Sequence, residues 1–118
     1  MDLFNVFHLE CSRRLPCLPA EHPCSRLHGH SFRVEVRLRG PLDPEFGWVC
    51  DFADVQEAWQ PIHAALDHRC LNEIPGLENP TSELLAVWLW DRLKPTLPLL
   101  AKVVVMETHA SGCAYTGD

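Results

Sequence analysis

The sequence predicts an α+β fold, an antiparallel sheet with two helices on one face in the order ββααββ. Three observations predict it. Phe32 to Arg39 alternate apolar and charged without a break, the period of a strand with one buried face. Phe52, Val55, Trp59, Ile62 and Leu66 recur at spacings of 3, 4, 3 and 4, the period of a helix with one apolar stripe. Strand-like segments stand at both ends of the chain with two helix-like segments between them, which favours helices gathered on one face of an antiparallel sheet.

Taken in order, Leu3 to Leu9 is rich in Phe, Val and Leu and reads as the first strand, though its alternation is less clean. Arg14 to His30 is a long loop with Pro and Cys, and loops of this length in a small domain tend to carry function. The clean strand follows, then turn signals at Gly40-Pro41 and Asp43-Pro44. A helix is expected from Asp51, with Asp54 completing a capping-box pattern and Pro61 kinking it. A second helix follows Asn79-Pro80-Thr81-Ser82, where Asn79 or Thr81 can cap, and its apolar body runs from Leu84 to Leu93 before Pro95 stops it. Trp88 and Trp90 are expected to pack. Two last strands are expected at Ala101 to Thr108 and Cys113 to Thr116, joined by a turn at Ser111-Gly112.

With 47% hydrophobic and 22% charged residues, the chain suits one domain over 1–118, short enough to gain from a partner subunit. No apolar run reaches the ~18 residues of a membrane span, and the first residues lack the pattern of a signal peptide, so a cytoplasmic location is expected. Six cysteines without an export signal are then expected as reduced thiols. A net charge of −6 argues against a nucleic-acid binder. Residues 1–40 nevertheless hold six arginines against four acids, so a small polyanion could sit near them. For Arg33, Arg37 and Arg39, which alternate with apolar residues, a solvated strand face is the plainer reading.

His28-Gly29-His30 enters the clean strand, and residues two apart on a strand share a face, so both imidazoles can reach one ion. Two strand histidines making ordinary hydrogen bonds would give the same pattern. Cys24 stands four residues before His28 and near Arg26, a setting that favours a thiolate able to take a proton; a buried, inert cysteine is the alternative. Asp67-His68 closes the first helix with a carboxylate beside an imidazole, suited to acid–base work. Glu107-Thr108 ends a Val-rich strand, where a carboxylate needs a hydrogen-bonding partner. The guanidine-like edge of a pterin would supply two N–H donors, and an edge residue reaching water would need none.

Together, Cys24-Ser25-Arg26-Leu27-His28-Gly29-His30-Ser31-Phe32, Leu66-Asp67-His68, the run from Leu71 to Glu83 and Glu107-Thr108 resemble the 6-pyruvoyltetrahydropterin synthase family. The resemblance is strongest to its bacterial 6-carboxy-5,6,7,8-tetrahydropterin synthase branch, of queuosine (7-deazaguanine) biosynthesis. It implies a tunnelling fold, in which trimers form a barrel and two trimers stack as a homohexamer with sites between subunits. It implies a lyase that converts 7,8-dihydroneopterin triphosphate to 6-carboxytetrahydropterin, acetaldehyde and triphosphate, or else 6-pyruvoyltetrahydropterin formation, simple side-chain cleavage, or a non-catalytic pterin- or metal-binding relative. Cys24 would be the base, Asp67 and His68 its relay, Glu107 with Thr108 the pterin contact, and His28 and His30 two ligands of a Zn2+ ion. One departure matters: Arg13 occupies the place of the family's third histidine ligand, and guanidinium has no lone pair to give. His8 falls on the opposite strand face, so Cys11 or Cys17 are the possible replacements. Failing a metal, Arg13 is a candidate contact for the substrate triphosphate. A second departure is Thr116, where the family pattern has arginine.

Overall fold

The computed structural model covers residues 1–118. Its elements are β1 (Asp2–Arg13), a 3-10 turn at Pro23–Ser25, β2 (His28–Arg39), α1 (Phe52–Leu66), a 3-10 turn at Leu71–Glu73, α2 (Ser82–Leu93), β3 (Leu100–Met106) and β4 (Gly112–Tyr115). The four strands form one antiparallel sheet in the order β1-β2-β3-β4. No helix is long and apolar enough to cross a membrane.

Alternation decides which face of the sheet is covered. Phe32, Val34, Val36 and Leu38 of β2 are buried, with Leu9 and Cys11 of β1 and Val103 and Val105 of β3 on the same side. Onto this face α1 lays Val55, Trp59, Ile62 and Leu66, and α2 lays Leu85, Ala86, Trp88, Leu89 and Leu93. Each such side chain contributes about 1.5–3 kcal/mol on full burial. α1 packs over β1, where Phe7 stacks on Trp59 with centroids 4.6 Å apart, and α2 packs over β3 and β4.

Local sequence sets most boundaries. The Asp51 carboxylate caps α1 by accepting from the Ala53 N–H at 2.9 Å, and the Thr81 hydroxyl caps α2 by accepting from the Leu84 N–H at 3.1 Å. Asp54 does not close a reciprocal capping box; its carboxylate faces the Cys50 thiol instead. Phe52, expected on the core stripe, is 53% exposed at the first position of α1, and the buried stripe begins at Val55. α1 is continuous through Pro61, which sits on its exposed side, where the missing N–H costs least. At the β3–β4 turn a Cβ on Gly112 would stand 2.5 Å from the Val105 carbonyl oxygen, so only glycine fits there.

Both N-terminal strands are longer than the pattern predicted. β1 continues from Leu9 to Arg13 and pairs residue by residue with β2, which itself begins at His28. β3 stops at Met106, one residue before Glu107, because the Glu107 N–H turns aside to the Ser111 carbonyl. On the uncovered face, Arg37 pairs with Glu35 and Asp2, and Arg39 with Asp2. Their hydrogen bonds, that from Arg39 foremost, bring the Asp2 carboxyl down to about 2. These two arginines are thus paired within the chain, at the end of the sheet remote from His28.

Candidate active site

The antiparallel register brings the distant candidates to one end of the sheet. Arg13 lies directly opposite His28, and Cys11 directly opposite His30, so all four share the helix-facing side. The His28 Nδ1 meets the Arg26 carbonyl at 2.8 Å, and the His30 Nε2 meets the Glu107 carbonyl at 3.0 Å. A carbonyl only accepts, so each of these ring nitrogens carries the hydrogen. The His30 ring also packs on Phe32 at 4.6 Å between centroids.

Arg13 is 2% exposed. Its Nη1 donates to the Pro80 carbonyl at 2.9 Å, its Nη2 donates to Glu107 Oε1, and its guanidinium lies 5.0 Å from the Phe32 ring centroid. Ser82, at the first position of α2, donates its hydroxyl to the same Glu107 Oε1 at 2.5 Å. Burial pushes the Glu107 carboxyl up, but the Ser82 hydroxyl and the Arg13 guanidinium together outweigh it and hold the group below the ordinary carboxylate range. Glu107 therefore has the partner that its setting demanded. That partner is an arginine of the same chain, and Arg13, so enclosed, is out of reach of a substrate triphosphate. The Thr108 hydroxyl is committed locally, accepting from the Ala110 and Ser111 N–H groups at 3.1 Å.

Asp67 and His68 form a dyad on the outer edge of β1. Asp67 Oδ1 accepts from the Glu10 N–H at 2.9 Å, and Oδ2 accepts from His68 Nδ1 at 2.6 Å. The backbone N–H of Glu10 foremost, then His68, lowers the Asp67 carboxyl and keeps it ionised. His63, one helical turn back, adds its Nε2 at 3.5 Å from Oδ2. His68 is the one non-glycine residue at positive φ, 59°, a left-handed conformation uncommon outside glycine that histidine, with Asn and Asp, adopts more often than other residues. Its N–H donates to the Glu10 carbonyl, and Ser12 donates to the Arg69 carbonyl, so residues 67–70 dock on β1 like a short extra strand.

Two cavities adjoin these groups. One of about 530 Å3 is bordered by Glu10, Cys11, His30, Ser31 and His68. Another of about 480 Å3 is bordered by His8, Ser31, Arg33, Glu107 and Thr108. A larger apolar cavity of about 900 Å3 lies between the helices, bordered by Ala58, Ile62, Trp88 and Leu97, and touches none of the candidate residues. Cys24 lies in the 3-10 turn before β2, half-buried, its N–H donated to His22 Nδ1 at 3.1 Å, and it borders none of these three cavities. Sequence reasoning missed Ser82, whose place inside a capping cluster disguised it, and Glu10, whose backbone rather than side chain does the work.

The donor set does not fit the zinc shell that the resemblance implied. No three His, Cys, Asp or Glu side chains converge on a common point. His28 and His30 share the helix-facing side, but the third-ligand place holds a buried cation. Cys11 is buried, and burial pushes its thiol up to about 12; Cys17 stands exposed in the loop, and neither joins His28 and His30 in a common cluster.

Comparison with known proteins agrees with the sheet and the two helices that cover it. The chain is 37% identical over 96% of its length, and 91% of the relative's, to a 6-carboxy-5,6,7,8-tetrahydropterin synthase of Synechocystis sp.. It is 36% identical over 77% of its length, and 67% of the relative's, to the 6-pyruvoyl tetrahydrobiopterin synthase of Homo sapiens. Among solved structures, the 6-pyruvoyl tetrahydropterin synthase of Caenorhabditis elegans superposes with a TM-score of 0.92 at 26% identity, covering 100% of this chain and 96% of that one. The fold is thus the tunnelling fold of those enzymes, and since residues 2–118 match the 6-pyruvoyl tetrahydropterin synthase family model, the chain belongs to that family.

Proposed function

We propose that the chain is a carbon–carbon lyase that converts 7,8-dihydroneopterin triphosphate to 6-carboxy-5,6,7,8-tetrahydropterin. The observation that carries this reading is the Asp67–His68 dyad, pinned to β1 beside a cavity that His30 also borders. Identity of 37% along nearly the whole chain to a synthase of that name supports the choice of product.

In this reading Cys24 takes a side-chain proton and leaves its electron pair on the substrate carbon. Triphosphate departs with the C–O bonding pair. His68, with its Nδ1–H held by Asp67, presents Nε2 to exchange a proton with a side-chain oxygen. Cleavage of the carbon–carbon bond, with one water added, releases acetaldehyde and leaves the carboxyl on the ring; oxidation of that side-chain carbon from alcohol to carboxyl level supplies the two electrons that take the ring from dihydro- to tetrahydropterin, so no external reductant is needed. Glu107 anchors the pterin ring; the Thr108 hydroxyl shapes the turn that carries it. No step runs through a metal.

The active form is read as a homohexamer of two trimers working in the cytoplasm, in keeping with six free thiols, and the pathway as queuosine biosynthesis. The test is to incubate the protein with 7,8-dihydroneopterin triphosphate and identify the pterin by mass spectrometry, with acetaldehyde trapped as its hydrazone. Acetaldehyde in step with 6-carboxytetrahydropterin is expected. A second reading, loss of triphosphate without carbon–carbon cleavage, is favoured by the 36% identity to the human 6-pyruvoyl tetrahydrobiopterin synthase, and would give a pyruvoyl product and no acetaldehyde.

A further inference from the structure

Three observations at the end of β1 belong together. Arg13, opposite His28, is a guanidinium almost wholly withdrawn from water, and a charge so placed is costly unless it is paired. Its pair is Glu107, the residue read above as the pterin anchor, and the pairing is reinforced by Ser82 on the same oxygen. Oε1, with two donors, has both lone pairs engaged, so Oε2 is the oxygen with capacity for a ligand N–H. Meanwhile the His30 Nε2–H is spent on the carbonyl of Glu107 itself. The cation, the carboxylate and one histidine of the expected metal pair thus form one hydrogen-bonded unit.

A divalent ion at the His28–His30 pair would have at most two imidazoles to hold it, with the Glu107 carboxylate already committed to Arg13, where a catalytic zinc commonly has three protein ligands. We propose that Arg13 is the positioning residue of this site: its buried guanidinium takes the place of the metal's third ligand, fixes Glu107 with Oε2 toward the pterin, and leaves the site metal-free. The proposal rests on the reading of Glu107 as the pterin anchor. It makes the loss of the third histidine an exchange of one cation for another rather than a simple vacancy, and it accounts for the burial of an arginine at a strand end.

The test uses the full chain, with zinc sulfate and neopterin as probes. Wild-type protein prepared with added zinc and then desalted should carry far less than one zinc per chain, and its neopterin affinity, read by fluorescence, should be unchanged by chelation. Arg13→Met should weaken neopterin binding about tenfold or more, the scale of a lost charge-assisted hydrogen bond, and Arg13→Lys should recover part of that. Ser82→Ala, which leaves Arg13 in place, should weaken binding severalfold and serves if Arg13→Met does not fold. Arg13→His should raise the zinc content. One zinc per wild-type chain, lost in His28→Ala, would overturn the proposal, as would unchanged neopterin affinity in Arg13→Lys and Ser82→Ala. Glu107→Gln separates the two readings. If it abolishes binding while the Arg13 and Ser82 variants bind normally, only the present inference fails; if it binds normally, the anchor assignment fails first.

Discussion

Cys24 and Cys11 illustrate how differently one residue type behaves thirteen positions apart in a 118-residue chain. Cys24 sits half-buried at the mouth of β2, and as the proposed base its loss should abolish turnover while leaving neopterin affinity within about twofold, since no hydrogen bond to the ring is removed. Turnover in Cys24→Ala comparable to Cys113→Ala would remove it from the mechanism. Cys11 is the opposite case. Its folded thiol titrates near 12 against an ordinary 9.0, so above pH 9 the unfolded chain gives up a proton that the folded chain keeps. Stability therefore falls as pH rises from 9 toward 12, by at most about 1.4 kcal/mol per unit from this one group. Cys11→Ala should be less stable than wild type at pH 7 but show a flatter decline above pH 9, as urea unfolding at several pH values will record. At this scale the sequence was readable where chemistry is local: His28-Gly29-His30 shares a face because strands repeat every two residues, and Asp67-His68 is a dyad because the two are adjacent. It was not readable where a partner is remote. Arg13 and Glu107 lie 94 positions apart, and nothing in either neighbourhood announces the pairing.

Between elements, the decisive joint is the passage from α1 to β1. Asp67 caps the end of α1, with its N–H on the His63 carbonyl, and residues 67–70 then turn sharply enough to run along the free edge of β1. That turn is made at His68, whose left-handed backbone costs roughly 1–2 kcal/mol in an ordinary residue. The sequence signals it only weakly, because histidine tolerates this conformation better than most residues but is far less diagnostic of it than glycine. The two helices were legible from their stripes, and only Phe52 was misplaced, since periodicity reports a direction around the helix and not where along it burial begins. The His68 side chain is 79% exposed, so replacing it disturbs little packing and isolates the backbone effect. His68→Val should destabilise the fold by about 1–2 kcal/mol, whereas His68→Gly should fall within about 0.5 kcal/mol of wild type. Both should lose turnover, because both lose the imidazole. Equal stability of the two variants in denaturant titrations would show that the turn relaxes around any residue.

For the molecule as a whole, the proportions argue for assembly. The radius of gyration is 15.3 Å, against about 13.5 Å expected for a compact chain of this length, and the longest dimension is 57 Å against 23 Å for the shortest. Two twelve-residue strands, each about 40 Å long, supply most of that length, and the helices cover only one side of them. The other side is not a uniformly charged solvent face, for Phe4 stands 51% exposed on it and Val6, Val104 and Met106 are only partly buried. The sheet also ends in strands with unpaired edges: β4 lies open, and β1 is covered only at Glu10 to Ser12 by residues 67–70. Unpaired edges of this kind invite pairing with another chain, and β1 of one copy brought against β4 of the next, a heterologous contact, would continue the antiparallel sheet from copy to copy. The cavities beside His30 and Glu107 lie toward the same end of the sheet, and in an assembly a neighbouring copy is expected to close them. Native mass spectrometry should therefore show a hexamer, with trimers at low concentration. A proline at Ala114, in the middle of β4, removes an edge N–H and should shift the distribution toward monomer and lower turnover in parallel. A wild-type monomer with full activity would mean that one chain holds a complete site, and the proposed closure by a second copy would be wrong.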